Sequence, residues 1–411
     1  MRATGLLLAA ALAVPGGAAC QAAPIGDPAA RAADDRLYAD AAARAWSWID
    51  RNYVPATGLV RATDHYDHVT TWDIGSALLA LHAAHGLGLL GDAELETRMA
   101  AALRTLRTMP LYDGAAFNRL YSSATGAMTG RGDRPTQTGY GWSATDLGRL
   151  LAALKVVASN HPRFEGDADA VVRRLDVSRI VRDGYLWGED VQGRRVARYA
   201  EGRIGYEQYA AQGFALWGIR AERALDVTAN ARPVQVEGVE LLADRRGSDR
   251  LTSEPFFLAA LEMDLWGEPM NGLAAGVLAA QEARWRRTGQ VTMASEDAVP
   301  LAPHHFYYYN VYHAGRPFAI DAQASLRGVQ VPPWVSTKAA FAWHAVMPGE
   351  YTRTAVRAVA AGQQGERDWG AGILEGSGRP TGGANVNTAA VVLQAALYRQ
   401  LGRRLLAEPA G

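Results

Sequence analysis

The sequence has very little cysteine and lysine. Its 411 residues include one cysteine, Cys20, and two lysines, Lys155 and Lys338, so arginine carries most of the positive charge. One cysteine cannot form an intrachain disulfide, and it cannot supply a multi-cysteine zinc site. The 42 basic residues balance the 42 acidic ones, and no dense basic run is present. The charge composition therefore gives no support to nucleic-acid binding.

Long hydrophobic runs are also missing. The longest apolar stretch near the start, residues 6–14, is too short to span a bilayer and follows a short positive region, which is typical of a signal peptide. Gly17-Ala18-Ala19-Cys20 resembles a bacterial lipobox. We predict a signal peptide over residues 1–20 with Cys20 as the lipidated residue, then a flexible tether over residues 21–34. Simple secretion is the alternative, and either route leads to the periplasm or outer membrane.

The most informative stretch is Thr70–His85, TTWDIGSALLALHAAH, which carries no charge from Ile74 to Leu81. A helix that is apolar on all sides belongs in a core. Six segments follow this plan and alternate with amphipathic ones such as residues 92–108, at irregular spacing. The pattern predicts an all-α fold, an (α/α)6 toroid with six inner and six outer helices, over residues 35–405. An elongated helical solenoid is the alternative.

Polar side chains collect at the starts of the six predicted inner helices. They are Asp73, Asp146, Glu207, Glu254, Lys338 and Asn387, with Trp72, Trp142, Tyr206 and Trp334 beside them. In a toroid these starts face one end and form one cleft. Carboxylates with aromatic platforms suit a glycosidase, in which one acid protonates the leaving oxygen and a second carboxylate acts on water or the anomeric carbon.

Helix capping competes with this functional interpretation. Thr70-x-x-Asp73 and Ser143-x-x-Asp146 fit the capping-box pattern, and Glu254 follows the cap Ser253. Capping is the preferred interpretation for Asp146, and for Asp73 the two interpretations weigh about equally. Glu207 has no hydroxyl cap three residues earlier, which favours function.

Helix capping does not explain the carboxylates that lie in predicted loops. Glu296 and Asp297 precede an aromatic cluster, and Glu375 lies in a glycine-rich stretch that also holds Trp369. We predict Glu296 or Glu375 as the general acid and Asp73 or Glu207 as the base or water-positioning residue. The predicted substrate-binding residues are Trp72, Trp142, Tyr206, Asp297, Tyr309, Arg316, Trp334, Lys338, Trp369 and Asn387. We expect no cofactor and no metal, because the histidine pairs lack a ligand frame.

Two other functions stay open. A polysaccharide lyase could abstract a proton with Tyr307 or Tyr309 and His305, with Asn387 or Arg316 stabilising the charge. A non-catalytic glycan-binding lipoprotein of a polysaccharide export system would need no acid and base at all. In each case the partner is an oligo- or polysaccharide, membrane contact is limited to the lipid anchor, and a monomer is expected.

Several motifs resemble a known bacterial exported family, catalogued as domain of unknown function 3131. They are TTWDIGSALLAL, TSEPFFLAALE, SEDAVPLAPHHFYYYNVY, GRPFAIDAQ, STKAAFAWHAV and WGAGILEGSG followed by NVNTAAVVLQAAL. The resemblance covers roughly residues 41–403, and the family is similar to glucoamylase-like (α/α)6 hydrolases. It implies a toroid, an envelope location and a role around bacterial glucans or exopolysaccharides. The matching acids are Asp73, Glu254, Glu296, Asp297 and Glu375.

We expect an inverting glycosidase, whose catalytic carboxyls lie about 6.5–9.5 Å apart, rather than a retaining one at about 5–5.5 Å.

Overall fold

The computed structural model describes residues 28–246, 248–263, 267–302, 304–322, 326 and 329–408. The predicted signal peptide, Cys20 and residues 21–27 lie outside the described residues. The helices are α1 (Pro28–Asn52), α2 (Thr71–Gly86), α3 (Asp92–Thr108), α4 (Ala144–Asn160), α5 (Glu165–Val172), α6 (Val177–Ile180), α7 (Tyr206–Ala215), α8 (Glu222–Leu225), α9 (Glu254–Glu262), α10 (Met270–Thr288), α11 (Thr337–Val346), α12 (Glu350–Gly362) and α13 (Val386–Leu401).

The apolar helices form a closed inner ring. Helices α2, α4, α7, α9, α11 and α13 pack in this order, and α13 packs back against α2. This closure excludes the elongated solenoid. Helix α2 buries every residue from Ile74 to Ala84, as its uncharged sequence predicts. Glycine lets α4 and α7 approach closely, since a Cβ on Gly148 would lie 2.5 Å from the Cα of Ala210.

The outer layer is less regular than predicted. Helices α1, α3, α5 and α12 pack outside the ring, and α10 reaches it where Gln281 donates to the hydroxyl of Ser253. The outer position between α7 and α9 holds only the four-residue α8 and a β-hairpin, so the prediction of six outer helices is wrong there. The hairpin sequence alternates in burial and turns at Glu237-Gly238, both at positive φ, which favours paired strands over a helix.

The fold is rich in helix, but the all-α prediction is not confirmed, because the segments between inner and outer helices pair as short antiparallel strands. The longest hairpin, β9–β10, joins β7 and β8 in a four-stranded sheet. The strands are β1 (Tyr53–Val54), β2 (Leu59–Val60), β3 (His68–Val69), β4 (Leu111–Tyr112), β5 (Ala116–Phe117), β6 (Tyr121–Ser122), β7 (Gly141–Trp142), β8 (Val181–Arg182), β9 (Tyr185–Gln192), β10 (Arg195–Ala200), β11 (Ala231–Val236), β12 (Val239–Asp244), β13 (Glu296–Asp297), β14 (Tyr307–Tyr309), β15 (Tyr312–His313), β16 (Arg316–Pro317), β17 (Ile320–Asp321), β18 (Trp334–Ser336) and β19 (Gly372–Leu374).

Helix α1 corrects one predicted boundary. It begins at Pro28, so residues 28–34 of the predicted tether are helical. Asp34 anchors this part of the helix, because its buried carboxylate pairs with Arg353 and Arg357 of α12. Among the described helices, none is long and apolar enough to cross a membrane.

Candidate active site

The first turns of the inner helices converge at one end of the ring, which we call the mouth. Asn387 on α13 donates to Asp73 on α2 at 2.9 Å. Across the ring, Glu254 on α9 accepts from the Tyr206 hydroxyl at 3.0 Å and from the Lys338 ammonium at 2.6 Å. The rings of Trp72 and Tyr206 lie 5.6 Å apart and link the two sides. The mouth therefore comprises Trp72, Asp73, Asp146, Tyr206, Glu254, Lys338 and Asn387.

Asp73 caps its own helix and also faces the mouth. One carboxylate oxygen accepts from the backbone N–H of Thr70 at 2.9 Å and from its hydroxyl at 2.8 Å, which completes the predicted capping box. The other accepts from Asn387. Burial raises the pKa of Asp73, and the hydrogen bonds from Thr70 and Asn387 oppose that rise by favouring the ionised form.

Asp146 occupies the equivalent first-turn position on the neighbouring helix α4. Its backbone N–H donates to the cap Ser143, as predicted, while its carboxylate is half-buried. Burial raises the pKa of Asp146 to about 7, Arg119 opposes the rise, and the charges of Glu201 and Asp73 add to it. Asp146 therefore holds a proton at a pH where an ordinary aspartate does not.

Asp73 and Asp146 differ from the other candidate acids in their charge environment. Within the described part of the chain, neither has an arginine or lysine nitrogen within 4.0 Å. Each of the others is ion-paired: Glu207 with Arg246, Glu254 with Lys338, Glu296 with Arg203, Asp297 with Lys338 and Glu375 with Arg284. The two acids without an ion pair stand side by side, because α2 packs against α4.

The predicted residues Glu296 and Asp297 lie beside the mouth on strand β13. Arg203 donates to Glu296 at 2.5 Å and lies over the Tyr206 ring at 4.1 Å. Asp297 is fully buried, accepts from the Trp334 indole at 2.8 Å and lies 3.8 Å from the Lys338 ammonium. Burial raises the pKa of Asp297 to about 7 and also raises that of Glu296.

Glu207 and Glu375 point away from the mouth. Glu207 is covered by Arg246 and lies near Asp244 of strand β12, in the outer hairpin, and burial raises its pKa to about 7. Glu375 accepts from the Tyr309 hydroxyl at 2.9 Å and pairs at 2.9 Å with Arg284 of the outer helix α10. The structure therefore does not bring the four predicted catalytic acids together.

Most of the predicted stacking rings are covered by protein. Trp142, Trp334 and Tyr309 are 0–1% exposed and Trp369 is 6% exposed, so they present no free face to a sugar. Trp369 packs under Arg44 and donates to the Ala41 carbonyl of the outer helix α1. The prediction that these four rings bind sugar is therefore wrong, because they pack in the interior. The same correction applies to the ring of Tyr206, which is 4% exposed and covered by Arg203. Trp72 is half-buried and remains accessible at the mouth.

The residues of the lyase alternative are not assembled. The hydroxyl of the buried Tyr307 donates to the Leu301 carbonyl, and that of Tyr309 is engaged by Glu375. Arg316 is exposed on the small hairpin β15–β16, whereas Asn387 stands in the mouth. In the described ranges, no group of three or more acidic, histidine or cysteine side chains could hold a metal ion.

Comparison with known protein families identifies the family to which this chain belongs. A family model described as "Protein of unknown function (DUF3131)" matches residues 40–402. The chain belongs to this family. No curated protein matches the DUF3131 chain.

Solved structures share the fold at low sequence identity. A proposed glucoamylase from Bacteroides caccae is 14% identical with a TM-score of 0.64, covering 91% of this chain and 94% of that one. An endo-beta-1,2-glucanase from Chitinophaga pinensis, in complex with sophorotriose and glucose, is 12% identical with a TM-score of 0.63, covering 90% and 93%. An endo-beta-1,2-glucanase from Talaromyces funiculosus with sophorose is 12% identical with a TM-score of 0.58, covering 89% and 86%. These similarities establish a shared fold for the DUF3131 chain.

Several residues in or beside the mouth of this DUF3131 protein are not among the predicted site residues. Asp146 was visible in the sequence but explained by capping alone. Arg203 lies in a loop and Tyr308 in the short strand β14, and only the fold shows that the Arg203 guanidinium lies 5.6 Å from the Tyr308 ring. Phe306 is 40% exposed and packs edge-on against Tyr308 at 5.4 Å. The sequence pointed to Phe306 only as a member of the aromatic run of residues 304–309. That run does not show which rings are buried and which are exposed to solvent.

Proposed function

We propose that this protein is a glycoside hydrolase that cleaves a glucan or exopolysaccharide at the mouth of the ring. The observation that carries the proposal is the pair Asp73 and Asp146, which stand on adjacent inner helices and have no ion pair among the residues that the structure describes. Both acids have raised pKa values, but only Asp73 is held by three hydrogen-bond donors, which favour its charged form. Two carboxyls with different environments are what acid and base catalysis requires.

The roles of the two acids follow from these environments. Asp146 carries a proton near neutral pH and donates it to the glycosidic oxygen as the bond to the anomeric carbon breaks. Asp73 takes a proton from the water whose oxygen attacks that carbon. Both acids occupy the third helical position of packed parallel helices, whose axes are typically about 8–10 Å apart. We propose inversion, which needs about 6.5–9.5 Å between the two carboxyls.

The surroundings of the pair support a polymeric substrate. Two aromatic faces are open to a sugar, that of the half-buried Trp72 beside the pair and that of Phe306, which is 40% exposed. The buried rings of Tyr206 and Tyr308, with Arg203 between them, connect these two faces. Sugar rings stack on such surfaces. The names of two similar structures, endo-beta-1,2-glucanases, make β-1,2-glucan the first substrate to test.

Turnover of purified protein on β-1,2-glucan and a panel of exopolysaccharides tests the proposal. Asp146→Asn and Asp73→Asn should each lower kcat by about 10²–10⁴-fold, the usual contribution of a general acid or base. Glu350→Gln is the matched control, since Glu350 is an exposed acid in the first turn of outer helix α12. Activity that survives both Asn variants would contradict the assignment.

The non-catalytic alternative has a distinct outcome in the same experiment. A binding protein would retain glycan without releasing reducing ends, and the two Asn variants would leave its affinity unchanged. Unsaturated uronate products would instead indicate the lyase, although its tyrosines are engaged elsewhere.

We further propose that residues 1–20 direct export and that Cys20 is lipidated, placing a monomeric enzyme in the periplasm or at the outer membrane. Small residues before the lone cysteine support this proposal. Labelled palmitate should be incorporated by the wild-type protein and not by Cys20→Ser, which should leave the membrane fraction. Equal membrane association of both forms would contradict lipidation.

A further inference from the structure

A buried polar layer lies one helical turn below the mouth. Arg149 on α4 donates to Glu262 at 2.8 Å, to the hydroxyl of Tyr209 at 2.8 Å and, through Nε, to the hydroxyl of Ser76 at 3.1 Å. Ser76 in turn donates to Oδ1 of Asn387 at 2.6 Å. The side chains of Arg149, Glu262, Tyr209 and Ser76 are 0–1% exposed, whereas Asn387 is half-buried and lies in the mouth. An unbroken series of hydrogen bonds therefore runs from Glu262 to the Asp73 carboxylate.

The direction of this series is set by Arg149. A guanidinium has donors and no acceptor, so the Ser76 oxygen must accept from it. The single hydroxyl proton of Ser76 is then free for Oδ1 of Asn387, and the Asn387 amide nitrogen faces Asp73. Reversing the amide would remove the acceptor of the Ser76 proton and bring two oxygens together at the Asp73 contact. That contact would be tolerated only if Asp73 were protonated.

We propose that Ser76 and Arg149 are positioning residues that hold the Asn387 amide as a donor to Asp73 and thereby keep that carboxylate ionised for its role as base. The inference rests on the proposed function. It assigns a task to a buried arginine–glutamate pair that lies one helical turn below the two candidate catalytic acids. Arg149 also lies 4.8 Å from the Trp72 ring, so it supports the sugar platform from beneath.

Several titratable groups surround Asp73. Arg149 and Asp146 face it from α4, and Tyr66 lies near it from the loop before α2. Asn387 is the contact from α13, and Trp72, the neighbour of Asp73 on α2, packs against the ring of Tyr209 on α7. The Asn387 amide donates to Oδ1 of Asp73, and its orientation is the part of this environment that Ser76 controls.

The test compares Ser76→Ala with Tyr209→Phe. Both variants delete one buried hydroxyl from the same layer, but only Ser76→Ala breaks the connection between Arg149 and Asn387. The acid limb of the pH profile of kcat/KM reports the ionisation of the base. We expect it to move to higher pH by about one pH unit in Ser76→Ala, a roughly tenfold loss of activity on that limb. In Tyr209→Phe it should stay in place.

A second readout does not depend on turnover. Carboxyl ¹³C titration of aspartate-labelled protein, with the Asp73 signal assigned through Asp73→Asn, should show the same rise in the pKa of Asp73 for Ser76→Ala. An unmoved titration, or equal movement in Tyr209→Phe, would overturn the inference. Full activity of Asp73→Asn would overturn the proposed function instead, while the titration would still decide whether Ser76 controls the amide.

Discussion

Asn387 donates a hydrogen bond to Oδ1 of Asp73 at 2.9 Å, although the two residues are 314 positions apart. The bond spans the contact where α13 closes the ring against α2. The environment of the candidate base is therefore complete only when the last helix has docked. This couples the charge state of one carboxylate to closure of the whole fold.

The alkaline side of the pH profile should respond to two neighbours of Asp146 in opposite directions. Asp146 must be protonated to act as the acid, so kcat/KM should fall as pH rises through about 7. The negative charge of Glu201 disfavours ionisation of Asp146, so Glu201→Gln should lower its pKa and move the limb to lower pH. Arg119 favours ionisation, so Arg119→Gln should move the limb to higher pH. Movement of both variants in one direction would contradict the role of Asp146.

The exposed ring of Phe306 should matter only for long substrates. It lies at the outer end of the aromatic series, so a short oligosaccharide bound at Asp146 would not reach it. We expect Phe306→Ala to raise KM for the polymer by about 5–100-fold, since one stacking ring contributes about 1–3 kcal/mol by analogy with base stacking, and to leave a trisaccharide unaffected. Leu401→Ala is the control, because Leu401 is similarly exposed at the far end of α13. Equal effects on both chain lengths would exclude this subsite.

The buried pair Arg149–Glu262 should be costly to break on one side. Arg149→Met leaves an unpaired carboxylate at 0% exposure, which is expected to lower the free energy of unfolding by about 3–5 kcal/mol. The double variant Arg149→Met with Glu262→Leu should be more stable than Arg149→Met alone. Urea denaturation measures the free energy of unfolding of the single and the double variant. Arg107→Met, which breaks an exposed pair with Asp167, should cost about 0–1 kcal/mol, and a similar cost for both arginines would refute the argument.

Cleavage should proceed with inversion at the anomeric carbon. Inversion requires room for a water between the two catalytic carboxyls, proposed to be Asp73 and Asp146, whereas a retaining pair is closer. Proton NMR during the first minutes of hydrolysis of β-1,2-glucan should show the α anomer at the new reducing end before mutarotation. Initial appearance of the β anomer would indicate retention and a different nucleophile.

The inner ring was predictable because each inner helix is largely apolar, most clearly over the uncharged run Ile74–Leu81, and that pattern has few other solutions. The β-hairpins were harder to predict. Residues 231–244 alternate as strands do, but they occupy a place where the helical repeat suggested another outer helix. The alternation of buried and exposed residues makes this segment a β-hairpin, and the expected outer helix does not form there.

The site was only partly predictable, for a physical reason. Asp73, Glu254, Lys338 and Asn387 do meet at the mouth, because parallel helices align their first turns. Whether a carboxylate is neutralised depends on arginines distant in sequence. Arg284 covers Glu375 from 91 positions away, and Arg203 covers Glu296 from 93. Capping and catalysis are also compatible in one residue, so the capping pattern was a poor reason to discount Asp146.

The most direct test of the account is a crystal structure of Asp146→Asn with a β-1,2-gluco-oligosaccharide, or with whichever glycan the enzyme cleaves. We predict a sugar against Trp72 with its glycosidic oxygen about 2.6–3.2 Å from the residue 146 amide, and a water held by Asp73 near the anomeric carbon. A glycan bound elsewhere, or one whose scissile bond lies out of reach of both residues, would contradict the account.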